Sequence, residues 1–192
     1  MPVGILHRDI KCANILVDES TMHVWLADFG CSSELDTGGE VQEVNEEDAE
    51  QAGTGLFLSP EVLRDPHDWS KAGDVWSLGC TVLEMTKGTW PWKPEEFSRS
   101  RTDIAQGAKK PSWNKTLNPE LQSFFTMCFA FSPEARPTCS QLLDQAFLIE
   151  QHADKIALSR SLSQSQQARS ARLSIAAASS SDSITDVRAT VT

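Results

Sequence analysis

The chain has 192 residues, enough for one domain of ordinary size and a tail. Hydrophobic residues make up 40%, so a real core can form. The net charge of −10 argues against a nucleic-acid binder, which needs a cationic footprint to release counterions.

In chain order, Ile15–Val17 and Val24–Ala27 are short apolar runs rich in β-branched or aromatic residues, with turn-forming "DEST" near the turn between them. They predict a small β-hairpin with Asp28-Phe29-Gly30 at its exit. Residues 31–53 read as a loop too long for a simple connection. Eight acids and no base fall within residues 34–50 of the chain. Ser59-Pro60-Glu61 places an N-cap serine before a proline at the first helical position.

From Ser70 the period becomes helical. Val75, Leu78, Val82 and Met85 share one face, and Trp76, Cys80 and Leu83 a neighbouring one, which predicts a helix buried in the middle of a domain. Asn118-Pro119 starts a helix with an apolar face of Leu121, Phe124, Phe125 and Cys128. Thr138-x-x-Gln141 resembles a capping box ahead of Leu142, Leu143, Phe147 and Leu148. A domain over residues 1–150 is expected, followed by a disordered Ser/Ala/Arg-rich tail over 151–192. Within that tail, Arg169 and Arg172 precede Ser174 as in sites that basophilic kinases modify.

Five cysteines, at 12, 31, 80, 128 and 139, form no CxxC pair, which fits reduced thiols better than a disulfide framework or a zinc site. No run approaches the roughly 20 apolar residues of a membrane span. The first residues lack a signal-peptide layout. A cytoplasmic location with nuclear access is the resulting expectation.

The chemistry concentrates in residues 7–30. Asp9 and Lys11, two apart, can serve one transferring group from one side. Asn14 and Asp28 are hard oxygen donors of the kind Mg²⁺ takes beside phosphate oxygens. Phosphoryl transfer needs these parts: a carboxylate for the attacking hydroxyl, a cation on the γ-phosphate, and metal across the phosphates.

"HRDIKCAN" matches the H-R-D-L-x-x-x-N catalytic loop of protein kinases, with Ile10 for Leu. "DFG" follows at 28–30. "GTGLFLSPE" resembles the end of an activation segment, with Ser59 where A-P-E has Ala. "DVWSLGC" and "RP" are similar to the central helix of the large lobe and to the arginine that pairs with the A-P-E glutamate. Taken together, the sequence resembles the C-terminal lobe of a eukaryotic Ser/Thr protein kinase, most like the STE or MAP kinase kinase kinase group.

That resemblance implies a mainly α (α+β) fold with a small hairpin at the catalytic loop and DFG. No G-x-G-x-x-G and no V-A-I-K lysine occurs among these residues. The small N-lobe is therefore expected to be absent, and the chain alone to hold nucleotide poorly. By the resemblance, Asp9 would be the catalytic base and Lys11 would contact the γ-phosphate of ATP. Asn14 and Asp28 would hold Mg²⁺, and Thr54 would shape the substrate hydroxyl site. His7 and Phe29 would stack, Glu61 and Arg136 would form a buried ion pair, and Asp74 would accept backbone N–H bonds from the catalytic loop. Arg8 would pair with an activating phosphate, or with the carboxylates Glu46, Glu47, Asp48 and Glu50 in its place. The implied partners are a protein Ser/Thr substrate, ATP, and an upstream kinase or scaffold, with no nucleic acid and no membrane. A truncated lobe acting as a non-catalytic docking module is the alternative.

Overall fold

The computed structural model describes residues 4–35 and 52–149. The four loop carboxylates named above, the tail and its Arg169–Ser174 motif lie outside them. The chain divides into two compact units, Met1–Phe147 and Leu148–Thr192, and every element below belongs to the first.

Four short strands come first. β1 (Ile5–Leu6) pairs antiparallel with β4 (Ser33–Glu34), and β2 (Ile15–Asp18) pairs antiparallel with β3 (His23–Leu26). The β2–β3 turn is organised by Asp18, whose carboxylate accepts the hydroxyls of Ser20 and Thr21. These bonds, Ser20 first, hold its pKa down at about 2. Met22 completes the turn with a φ of 55°.

The region 31–53, expected to be a loop too long for a simple connection, is anchored at both described ends. β4 forms there, and Leu35 and Ala52 are buried with Leu6, Val62 and Trp69 in a small second core. A strand pair two residues long lies below what period-2 alternation can reveal.

Helices follow: α1 (Pro60–Arg64), α2 (Lys71–Lys87), α3 (Pro94–Ala105), α4 (Pro119–Cys128) and α5 (Cys139–Leu143). α2 begins at Ser70, whose hydroxyl accepts the Gly73 N–H, and ends at Gly88 with φ 65°. The main core lies between α2 and α4: Trp76, Cys80 and Leu83 meet Phe124, Phe125 and Cys128, with Phe129 just beyond. Each fully buried aromatic or leucine there contributes roughly 1.5–3 kcal/mol. Gly79 permits the close approach, since a Cβ there would lie 2.8 Å from Cys128 Cβ. The other face of α2 is barer: Leu78 and Val82 are half-buried and Met85 is exposed.

Two helix starts follow the sequence reading and one departs from it. Asn118 Oδ1 accepts the N–H groups of Glu120 and Leu121. Thr138 and Gln141 form a reciprocal capping box. Ser59 stands at the N-cap of α1, but its hydroxyl makes no capping bond. It is 1% exposed and has no partner among the described residues.

Trp92 is buried, Trp113 stacks on Phe129 at 5.9 Å, and Trp90 is exposed. All five cysteines are free. Burial raises the Cys12 and Cys128 thiols to about 12, with Glu84 adding to the effect at Cys12. Among the described residues, no helix is long and apolar enough to cross a membrane.

Candidate active site

Residues 7–14 precede β2 as a bent loop, and α2 sets its course. Asp74, in the first turn of α2, accepts the backbone N–H of His7 at 2.8 Å and of Arg8 at 3.0 Å. Burial raises the Asp74 carboxyl, and these two N–H bonds oppose the rise. Arg8 holds a φ of 64°, which costs a non-glycine residue roughly 1–2 kcal/mol. Two N–H groups converging on one carboxylate offset that cost.

The turn delivers Asp9 to a cluster of donors. Its Oδ2 accepts from Lys11 Nζ at 2.6 Å and Asn14 Nδ2 at 3.0 Å, and its Oδ1 accepts the Thr54 hydroxyl at 2.8 Å. Lys11 Nζ also donates to Thr54 Oγ1 at 2.8 Å, so three side chains close a ring. Burial alone would raise the Asp9 carboxyl. The bonds from Lys11, Thr54 and Asn14, with the Lys11 charge, outweigh it and hold the pKa below the usual carboxylate value. Asp9 is thus an ionised carboxylate with fixed direction.

Asn14 is buried, and its amide also donates to the Asp9 carbonyl at 2.8 Å. Both amide protons are used, which leaves Oδ1 as a donor toward a cation. The β2–β3 ladder, continued by the Ala27 N–H to the Asn14 carbonyl at 2.9 Å, brings Asp28 to the same end of the hairpin. Asp28 is exposed, with a φ of 61° and, among the described residues, a single long contact, 3.4 Å, from the Gly30 N–H. One amide oxygen and one open carboxylate, both hard donors with few competing bonds, suit a divalent cation that keeps most of its coordination for water and phosphate.

His7 is buried and its ring centre lies 4.8 Å from that of Phe29. The Asp9 N–H points at His7 Nδ1, so Nε2 carries the proton and donates to the Ala27 carbonyl at 3.0 Å. Arg8 donates through Nε to the Cys31 carbonyl and lies over the Trp69 ring at 5.7 Å. Glu61 and Arg136, 75 residues apart, form a two-pronged pair of 2.6 and 2.8 Å in the core. Arg136 also donates to the carbonyls of Ala72, Ala130 and Phe131 and lies over Trp76.

Three contributors are residues to which the kinase resemblance assigned no role. Gly53 holds a φ of 81° just before Thr54, and a Cβ there would lie 2.7 Å from the Arg8 carbonyl oxygen. Ser77 donates to the Phe57 carbonyl at 2.9 Å, fixing the segment after Thr54. Thr81 directs its hydroxyl to the Ser77 carbonyl at 2.8 Å and the Ile10 carbonyl at 3.3 Å. The signal was there in principle: Ser77 and Thr81 are polar residues on the inward side of a helix otherwise apolar there, and a buried hydroxyl needs a partner.

Comparison with known proteins adds to this geometry. The family model described as "Protein kinase domain" matches residues 2–148. Mitogen-activated protein kinase kinase kinase 4 of Mus musculus is 38% identical over 149 residues, covering 76% of this chain and 9% of that protein. Mitogen-activated protein kinase kinase kinase 1 of Arabidopsis thaliana is 38% identical over 147 residues, covering 76% of this chain and 22% of that protein. The MAP kinase kinase kinase mkh1 of Schizosaccharomyces pombe is 33% identical over 150 residues, covering 76% of this chain and 13% of that protein. The chain spans less than a quarter of the length of these curated relatives.

Proposed function

We propose, from the premise that this chain belongs to the protein kinase family, that it supplies the large-lobe half of a serine/threonine kinase site. The reaction is phosphoryl transfer from ATP to a protein hydroxyl, within a MAP kinase cascade. The observation that carries the reading is the Asp9–Lys11–Thr54 ring beside the open Asp28 carboxylate.

In this mechanism the acceptor hydroxyl donates its proton to Asp9 as its oxygen bonds to the γ-phosphorus and the bond to the leaving ADP oxygen breaks. Lys11 compensates charge on the transferring group, and Thr54 keeps the Asp9 carboxylate aimed. Asn14 and Asp28 are the residues that would hold Mg²⁺, which when bound neutralises phosphate charge. Lysine at position 11 follows the serine/threonine form of the catalytic loop. The cascade assignment draws on the likeness to MAP kinase kinase kinases.

The test compares the wild-type chain with Asp9→Asn, measuring ATP·Mg²⁺ binding by calorimetry and labelled-phosphate incorporation into an acceptor protein. Incorporation by wild type that Asp9→Asn abolishes supports the reading. Equal incorporation by both removes the assignment of Asp9 as the base, and no incorporation by either together with no ATP·Mg²⁺ binding leaves the docking module.

A further inference from the structure

We propose that the cavity beside the first turns of α3 is a subsite for an anionic side chain, a carboxylate or a phosphate, on the protein acceptor. It has a volume of about 400 Å³ and is lined by Lys93, Glu96, Arg99, Ser100 and Lys109. Three cations face one carboxylate there, and that carboxylate is already engaged. Lys109 Nζ donates to Glu96 Oε1 at 2.9 Å and to Ser100 Oγ at 2.8 Å, and lies over the Trp92 ring at 5.6 Å. Ser100 is buried, so its part of the cavity lining is fixed.

The remaining two cations keep free donors. Arg99 donates through Nε to the Glu95 carbonyl at 3.0 Å, and among the described residues its terminal nitrogens and Lys93 Nζ have no hydrogen-bond partner. Two exposed cations with free N–H groups at the rim of a cavity are what a carboxylate or phosphate requires. The chain as a whole is strongly acidic, but at physiological salt charges beyond about 8 Å are screened, so the local excess decides what docks.

Position connects the cavity to the acceptor. Gly55 follows Thr54, and a Cβ on Gly55 would lie 3.7 Å from Phe97 of α3. Phe97 stands on the same helix as the cavity-lining Glu96, Arg99 and Ser100, so α3 borders the segment carrying Thr54. A polypeptide that presents a hydroxyl to Asp9 and continues past Gly55 meets α3. This inference rests on the reading of Thr54 as part of the acceptor site.

The experiment uses three fluorescent serine-containing peptides that differ in one stretch, carrying glutamates, phosphoserine or glutamines. Binding to the full chain is followed by anisotropy for wild type, Lys93→Glu/Arg99→Glu and, as a milder variant, Arg99→Gln. Both residues are exposed, so these changes spare the core. The anionic peptides are expected to bind wild type about five- to tenfold more tightly than the glutamine peptide. That preference should shrink as salt is raised, fall in Arg99→Gln and vanish in the double variant. The glutamate and phosphoserine arms separate the two sources of negative charge. Equal binding of all three peptides by wild type, or a preference that survives the double variant, overturns the proposal. Phosphoryl transfer is measured apart from binding, so loss of transfer with the preference intact would overturn the kinase reading and leave the subsite standing.

Discussion

The carboxylate of Asp74 accepts the backbone N–H of Arg8 at 3.0 Å while Arg8 holds a left-handed φ of 64°. The first turn of a buried helix thereby fixes the one strained residue that immediately precedes Asp9. In Asp74→Asn, one acceptor oxygen becomes an NH₂ group facing an N–H. The expected loss is about 1–3 kcal/mol in urea unfolding, together with a fall in phosphate incorporation. An unchanged midpoint would show that the turn is held by something other than the carboxylate.

Gly53→Ala places a Cβ 2.7 Å from both the Arg8 carbonyl oxygen and Leu58 Cδ2, on a backbone with φ 81°. The chain must shift, and Thr54 shifts with it. Misplacement by about 1 Å lowers transfer by on the order of a hundredfold. Thr54→Val should lose activity as well, while Thr54→Ser, which keeps the hydroxyl, should retain most of it. Initial rates on one acceptor protein check all three.

Arg136→Met strands the Glu61 carboxylate in the core, and Glu61→Leu strands the guanidinium. Each single change should cost about 3–5 kcal/mol, and the double apolar replacement less than either. A double-mutant cycle by chemical denaturation measures the coupling. Additive single costs would mean that the two groups do not act as a pair.

Ser59→Ala removes a buried hydroxyl that neither caps α1 nor finds another partner among the described residues. A gain of about 1 kcal/mol is expected, seen as a higher thermal midpoint. A lower midpoint would reveal a partner for the hydroxyl.

The ionisation of Asp9 sets a pH dependence. Burial raises this carboxyl, and the bonds from Lys11, Thr54 and Asn14 more than reverse the effect. The folded protein therefore takes up this proton at lower pH than the unfolded chain. The contribution is fully present above the unfolded value, near 3.8, and is lost as pH falls through the depressed folded value. Asp9→Asn lacks the group, so the stability gap between wild type and this variant should hold steady from neutral pH to near 3.8 and narrow below it. Parallel curves down to about pH 3 would contradict this account.

Much of this was legible in the sequence, for identifiable reasons. The β2–β3 hairpin, the buried α2 and the caps at Asn118 and Thr138 each rest on local rules of period and capping, which a linear reading captures. The ring around Asp9 was legible by two routes. Asp9, Lys11 and Asn14 are neighbours in sequence, whereas Thr54 arrives from 45 residues away and was placed there by the kinase resemblance, not by local pattern. β4 and the burial of Leu35 and Ala52 escaped because tertiary pairing, not local pattern, creates them. Ser59 looked like a cap because N-cap preference is a statement about residue type. Its φ and ψ obey that preference, and its hydroxyl does not.

Asp74, Ser77 and Thr81 are spaced along one side of α2 and tie down two loops: Asp74 holds the His7–Arg8 turn and Thr81 the Ile10 carbonyl of the loop carrying Asp9, and Ser77 holds the Phe57 segment that follows Thr54. The helix is in effect a shared datum for the carboxylate and the threonine that aims it. A movement of α2 carries both loops together, so the displacement is common-mode and cancels in the distance between Asp9 and Thr54. Only a differential movement, one loop slipping while the other stays tied, can spoil the alignment. Substitutions at Ser77 or Thr81 should therefore disturb this geometry more than a larger change at exposed Met85 on the same helix.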